Sequence, residues 1–375
     1  ELKELNLHSG SVKNIQQFAA ANSGFLIKGF NGSYSNINNY LQWYNAGFNR
    51  NNKTLSVDSL TFHPTLEQEP FMAKRSFQSD YIRIKMGAIN VSPVDIDTYI
   101  KDSTLTIGNV AIDRVFLSDY RDNRLPFRAG IIKPLPVNLI KKIPGRLAID
   151  TVKLSNANVE YTQVDAKTKE PGTISVNRIT VSLFPVRNYN LTNTDSLRIQ
   201  VNGYLMDTAW IRLRLRESYR DSLAGFFMTI RMKPADLKIL NPVLMPLSSM
   251  KLQSGYMDTL SMRAVGKEYF SFGEMKMYYH SLKIKFLENG SEAKKTFLTN
   301  LMTFVANSFV IRNKNKTRKG TVFFIRNRDR SAINYIIKTA LSGIASSVGA
   351  KNNHRLLRQY KKQLHLRNLP PFDYD

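Results

Sequence analysis

Apolar and polar residues alternate along most of the chain from about Leu55 to Phe286, in a run rich in Ile, Val, Thr, Tyr and Phe and punctuated by Asn, Asp, Gly and Pro. That period of two predicts antiparallel strands with one buried face, joined by tight turns. Within it a sub-pattern recurs: two apolar residues one apart, two intervening residues, then two more apolar residues one apart. It occurs at Leu55, Val57, Leu60, Phe62; at Leu105, Ile107, Val110, Ile112, continued by Val115 and Leu117; at Leu147, Ile149, Val152, Leu154; and at Ile174, Val176, Ile179, Val181, Leu183. The alternation slips by one residue and resumes, which in a flat strand would turn the second apolar pair to the other face. A β-bulge restores the face and adds bend and twist, so repeated slips predict a coiled sheet with its apolar positions on the concave side. Bends are expected near Asp58, Asp150 and Asn177. The competing reading is a tight turn between two short strands at each slip.

Other segments carry a helical period. Val12, Ile15 and Phe18, then Ile37, Tyr40, Leu41 and Tyr44, predict short helices at the N-terminal end. Pro234, Ala235, Asp236 and Leu237, followed by Asn241 and Pro242, read as one helical turn with Pro at its first position. A second such turn begins near Pro93, where Val94, Asp95 and Ile96 precede Tyr99. Beyond Asn289, Phe297, Leu301, Met302, Val305 and Phe309 share a helical face, as do Ile333, Ile336, Ile337, Leu341, Ile344 and Val348, with a strand expected from Thr321 to Arg326 between them. The chain therefore divides into a mixed opening segment (1–54), a curved β region (55–288) and a basic α/β region (289–375).

Charge changes the picture. Fifty-four Lys and Arg against 29 Asp and Glu give the 375-residue chain a formal charge of +25, which favours polyanionic partners. Fifteen basic residues and one acid fall between Arg312 and Arg367. Within that stretch Arg312, Lys314, Lys316, Arg318 and Lys319 are candidates for binding an anionic surface. With Phe323 and Phe324 nearby they also resemble a single-strand nucleic-acid binder, the less favoured alternative. There is no cysteine, and no run approaches the ~20 apolar residues of a membrane helix. The sequence begins at Glu1 without a signal-like segment, so any leader or anchor is expected upstream.

Candidate chemistry is sparse. His8, His63, His280, His354 and His365 show no metal-ligand spacing, and the chain has no nucleophile elbow, Walker loop or dinucleotide fingerprint. The acidic pairs Asp95 with Asp97 and Asp119 with Asp122 are what surface turns commonly produce. We therefore identify no catalytic residue, no metal ligand and no cofactor, and expect a non-enzymatic protein.

The slip pattern through Gly145 to Phe184, the PADLKILNPVLMPL segment from Pro234 to Leu247, and the SGYMDTLSMRAVG and GEMKMYYHSLKIKFLE stretches from Ser254 to Glu288 resemble the C-terminal region of AsmA-like proteins of the AsmA and TamB group. The resemblance covers roughly Leu55 to Val348. It implies a mainly β protein built on an elongated, strongly curved antiparallel sheet that forms an apolar groove, with short helices at the N-terminal end and amphipathic basic helices at the C-terminal end. It also implies a location in the periplasm or cell envelope of a Gram-negative bacterium, an anchor upstream of Glu1, and a role in bridging lipids between membranes or aiding outer-membrane assembly. The implied ligand is a phospholipid or another acyl-chain lipid, with an anionic membrane surface or an envelope protein as further partner. The groove would be lined by Leu147, Ile149, Val152, Leu154, Ile174, Val176, Ile179 and Val181, and farther on by Leu260, Met262, Met275, Met277, Leu282, Ile284 and Phe286. Two alternatives stay open: the same face packed into a closed core, and a structural or accessory subunit of an envelope machine.

Overall fold

A computed structural model of the chain describes residues 26–221, 225–287, 311–350 and 352–366. They form one large, curved, mixed sheet of eighteen strands with six α-helices, the two shortest being α1 (Gln68–Ala73) and α3 (Pro136–Lys141). Its long path begins at β18 (Lys319–Ile325) and passes through β17 (Phe270–Phe286), β16 (Met250–Gly266), β14 (Phe226–Met232), β13 (Ala209–Ser218), β12 (Ser196–Leu205) and β10 (Pro171–Phe184) to β9 (Arg146–Val164). At β9 the sheet forks. One arm runs through β7 (Thr104–Asp113), β6 (Ile89–Asp95) and β3 (Thr54–Val57), the other through β8 (Phe116–Asp122), β5 (Asp80–Met86) and β4 (Ser59–Pro64). The arms rejoin on β2 (Asn39–Asn49), which pairs with the last strand, β1 (Leu26–Ser35). Two-residue strands β11 (Val186–Arg187) and β15 (Ala235–Asp236) extend the pairing to β9 and β16.

The mainly β, curved architecture agrees with the alternation, with three corrections. The sheet is not wholly antiparallel: β7 and β8 both run parallel to β9. The N-terminal helix expected at Ile37, Tyr40, Leu41 and Tyr44 is instead a β-hairpin; Tyr40, Leu41 and Tyr44 lie in β2 and Ile37 in its connection, 90% exposed. The apparent helical spacing arose because Ile37 belongs to the turn and β2 carries apolar side chains on both faces, Leu41 and Trp43 on one and Tyr40 and Tyr44 on the other. Third, Pro234 precedes β15, and the helical turn starts later, at Leu237–Leu240, continuing into α4 (Asn241–Ser248). Val12, Ile15 and Phe18, and the helix expected at Phe297 to Phe309, lie outside the described residues. The sheet also crosses both expected domain boundaries, since β1, β2 and β18 are strands of it.

The short helix after Pro93 forms as α2 (Ile96–Asp102), capped by Asp95, whose side chain accepts the Thr98 N–H at 3.2 Å. The basic region supplies α5 (Ala332–Val348), capped by the Ser331 hydroxyl and closed by Gly349 at φ +88°. This helix protects the open edge of β18. Ser346 Oγ accepts the Thr321 N–H at 3.1 Å and Ser342 Oγ accepts the Phe323 N–H at 3.2 Å, so backbone donors with no strand partner are satisfied by a ladder of serines one turn apart. Small residues permit the approach: a Cβ on Gly343 would lie 2.9 Å from Met275 Cε. A last helix, α6 (Asn353–Leu366), lays Tyr360 against Phe270 and Phe323.

The slips have three structural outcomes. Near Asp58 the strand breaks into β3 and β4, and near Asn177 the register shifts on both sides of β10, with Arg178 at φ +50°. At Asp150, by contrast, pairing runs through without a register shift. Ile149 and Val152 nonetheless pack against one buried cluster, because the neighbouring strands slip at the same level: Ile107 and Val110 on one side, Leu183 and Val186 on the other. The bulge of β9 lies farther on, at Asn156 (φ +53°). Together Asn45, Asp58, Gly87, Arg114, Asn156 and Arg178 trace a line of kinks crossing successive strands. Hydrogen bonds stitch it together: Asn45 Nδ2 to Asp58 Oδ2 at 2.6 Å, Gly87 N–H to Asp113 O at 3.0 Å, Arg114 N–H to Ser155 O at 3.0 Å, and Arg178 N–H to Asn158 Oδ1 at 3.2 Å. This line is where the sheet bends.

Candidate functional site: an apolar face across the strands

Residues directly opposite on paired strands share a face, so the register shows which side chains lie together. One crosswise row reads Met275, Met262, Ile230, Leu213, Val201, Val181, Leu154, Ile112, Ile89 and Val57. A second reads Ala264, Met228, Leu215, Ile199, Leu183, Val152, Val110, Val91, Leu55 and Phe48. A third, beyond the kinks, reads Ala209, Leu205, Val176, Val159, Leu117, Ile84, Phe62 and Leu41. No polar residue interrupts any of them. At about 4.8 Å per strand, nine steps carry the first row roughly 43 Å along the sheet.

Cover over this face changes along its length. At the C-terminal end it is a closed core: Met262 and Met275 are fully buried, and α5 packs there through Tyr335, Ile336, Ala340 and Ile344. Past β12 the cover thins. Of the cluster around Val115, Ala157 and Ile179, only those three are buried, while Leu154, Val159, Val176, Val181 and Val201 stay half-exposed. At the far edge Tyr34, opposite Leu41, is 60% exposed. The face is thus sealed at one end and open toward the other.

The expected lining residues divide along the same gradient. Val152, Leu154, Val176 and Val181 lie in the rows and are half-buried; Ile149 and Ile179 pack beside them; Leu147 and Ile174 are half-buried, opposite Leu105 and Tyr161. Leu260, Met262, Met275, Met277 and Leu282 are buried beneath the C-terminal elements, so they build core and do not line an open groove. Ile284 is half-buried against that core, and Phe286 is half-buried at the end of β17. Sequence reasoning did not assign Ile84, Leu117 and Val159 to this face: Ile84 and Val159 lie outside the slip pattern, and Leu117 continues it without having been named as lining.

A polar cluster borders the open part. Asp80 accepts two bonds from Arg121, at 2.5 and 2.6 Å, and Asp119 and Tyr161 sit opposite each other beside that pair. Burial, aided by the Asp80 charge, pushes Asp119 up to about 6, and its Oδ1 is buried without a hydrogen-bond partner among the described residues. Burial pushes Tyr161 to about 12 and, with the Arg121 charge, lowers Arg330. Arg330 also stacks on Phe127 at 3.6 Å and bonds Gln78 Oε1 at 3.3 Å, tying the segment after β8 to the start of α5. The other acidic candidates are structural: Asp97 pairs with Arg50 at 2.6 Å and Asp122 with Arg124 at 2.6 Å.

The five basic candidates do not form one surface. Arg318 donates to the Ser346 and Ser347 carbonyls at the C-terminal end of α5, and Lys319 pairs with Glu274 at 3.0 Å; Arg312, Lys314 and Lys316 are exposed. A larger basic surface lies on the outer face of the sheet. There Arg198 stands opposite Arg216, Arg212 opposite Arg231, and Arg263 opposite Thr229. Its signal was present in the sequence as the alternating IRLRLR of Ile211 to Arg216. In comparisons with known proteins, no family model and no curated protein matches this chain.

Proposed function

We propose that the chain is a non-enzymatic lipid-handling protein of a Gram-negative cell envelope, akin to the AsmA-like proteins it resembles, in which the open part of the apolar face solvates acyl chains and headgroups stay at the rim. The observation that supports this is the unbroken apolar character of three crosswise rows that lose their protein cover toward β2. Each methylene transferred from water to such a surface is worth about 0.8 kcal/mol, so an acyl chain laid along the rows would be held without any catalytic or metal-binding residue.

The test compares the two ends of one row. Val181→Asp lies in the half-exposed part, where water can reach a carboxylate; Met262→Asp places one in a sealed core, where an unpaired charge costs several kcal/mol. On this reading the wild type co-purifies with lipid detectable by extraction and mass spectrometry, Val181→Asp keeps its fold and loses the lipid, and Met262→Asp fails to fold. Lipid-free wild type, or a Val181→Asp protein as unstable as Met262→Asp, would show the face to be ordinary core.

A further inference from the structure

We infer that the outer face of β12, β13, β14 and β16 is a docking surface for an anionic lipid bilayer, independent of the apolar face on the other side of the sheet. Arg198, Arg212, Arg214, Arg216, Arg231 and Arg263 project from this one face at alternate positions of four neighbouring strands. All but the half-exposed Arg212 are exposed, and none of the six forms an ion pair with an acid among the described residues. Arg198 against Arg216 and Arg212 against Arg231 are like charges directly opposite, an arrangement that destabilises an antiparallel pair. Folding alone gains nothing from it. An external anion would turn the repulsion into shared attraction.

The shape of the array points to a bilayer. The four strands span about 14 Å and the two-residue steps along each strand cover a similar length, so the cations are spread in two dimensions and not along a line. Pairing of β14 with both neighbours is free of register shifts, which keeps this part of the sheet regular. A nucleic-acid strand presents a row of phosphates; a bilayer presents a plane of them. Phe227, opposite Arg216 and 46% exposed, adds an apolar ring that can enter the interfacial layer beneath the phosphates. Arg212 stacks at 5.0 Å over Trp210, placing a second aromatic beside the guanidinium groups.

The experiment measures co-sedimentation of the chain with vesicles of phosphatidylcholine alone and of phosphatidylcholine mixed with phosphatidylglycerol. The ladder variant is Arg214→Glu, Arg231→Glu, Arg263→Glu. The control, Arg312→Glu, Lys314→Glu, Lys316→Glu, changes net charge equally on exposed residues elsewhere. The expected result is salt-sensitive binding to the phosphatidylglycerol vesicles only, weakened at least about tenfold in the ladder variant and much less in the control. Absence of binding by the wild type, or equal loss in both variants, overturns the proposal. So does displacement of the wild type from vesicles by an equal phosphate concentration of single-stranded oligonucleotide, which would assign the face to nucleic acid. Lipid co-purification of the ladder variant, measured in parallel, reports on the apolar face separately.

Discussion

Glu217 shows how one residue can make stability depend on pH. Its side chain is completely buried, one oxygen accepting the Val137 N–H at 3.2 Å and the other without a partner among the described residues, and burial pushes the carboxyl up to about 7. A folded-state pKa raised above the unfolded value means the native state holds its proton longer. The stabilisation is complete below the unfolded pKa, about 4.5 here, and is lost as pH rises through 7. Asp119, raised from 3.8 to about 6, acts in the same direction. Thermal unfolding at pH 5 and pH 8 should therefore give the higher Tm at pH 5, and Glu217→Gln, which keeps an acceptor for Val137, should lose much of that difference. A Tm independent of pH in the wild type would refute the assignment. The contrast between Val181 and Met262 belongs to this scale too: both are apolar residues in one row, and exposure alone decides what a charge costs at each.

At the scale of elements, the kink line and the edge of β18 carry the predictions. Asn156 adopts a left-handed conformation within β9 while its Nδ2 donates to Asp113 Oδ1 at 2.8 Å. A β-branched residue cannot hold that conformation cheaply. Asn156→Val should destabilise by about 1–2 kcal/mol in urea unfolding and Asn156→Gly by less, since only the hydrogen bond is lost; equal losses would mean the kink is not conformationally demanding. For β18, Ser342→Ala with Ser346→Ala leaves the buried Phe323 donor and the half-buried Thr321 donor without these partners, a cost of about 1–3 kcal/mol at Phe323 and less at Thr321. Amide exchange at Thr321 and Phe323 should quicken more than at strand-paired positions of β17, and unchanged exchange would show that α5 protects the edge by packing alone.

At the scale of the whole molecule, curvature and cover together produce a face that is core at one end and open at the other. The alternating strands, the strand from Thr321, the α5 helix and the apolar character of the slip residues were legible because each rests on local periodicity. The bend at Asn156 was not, since a slip in sequence becomes a register shift only where the neighbouring strand does not slip with it, and at Asp150 both neighbours do. Nor could sequence separate Val181 from Met262: the pattern marks which side of a strand is apolar, and not what lies above it.

Local sequence sets the strand-rich character, the two-faced pattern of each strand, the cap and serines of α5, and the Arg alternation of β13. Those follow from backbone period, propensity and side-chain reach over a few residues. Tertiary structure alone decided the parallel placement of β7 and β8 beside β9, the alignment of apolar positions from distant strands into crosswise rows, the gathering of arginines from four strands, and the division of Arg312 to Lys319 between helix capping, ion pairing and exposure. These depend on which strands pair and in what register, a choice made by long-range contacts whose partners are separated by many turns of chain and leave no period in the sequence.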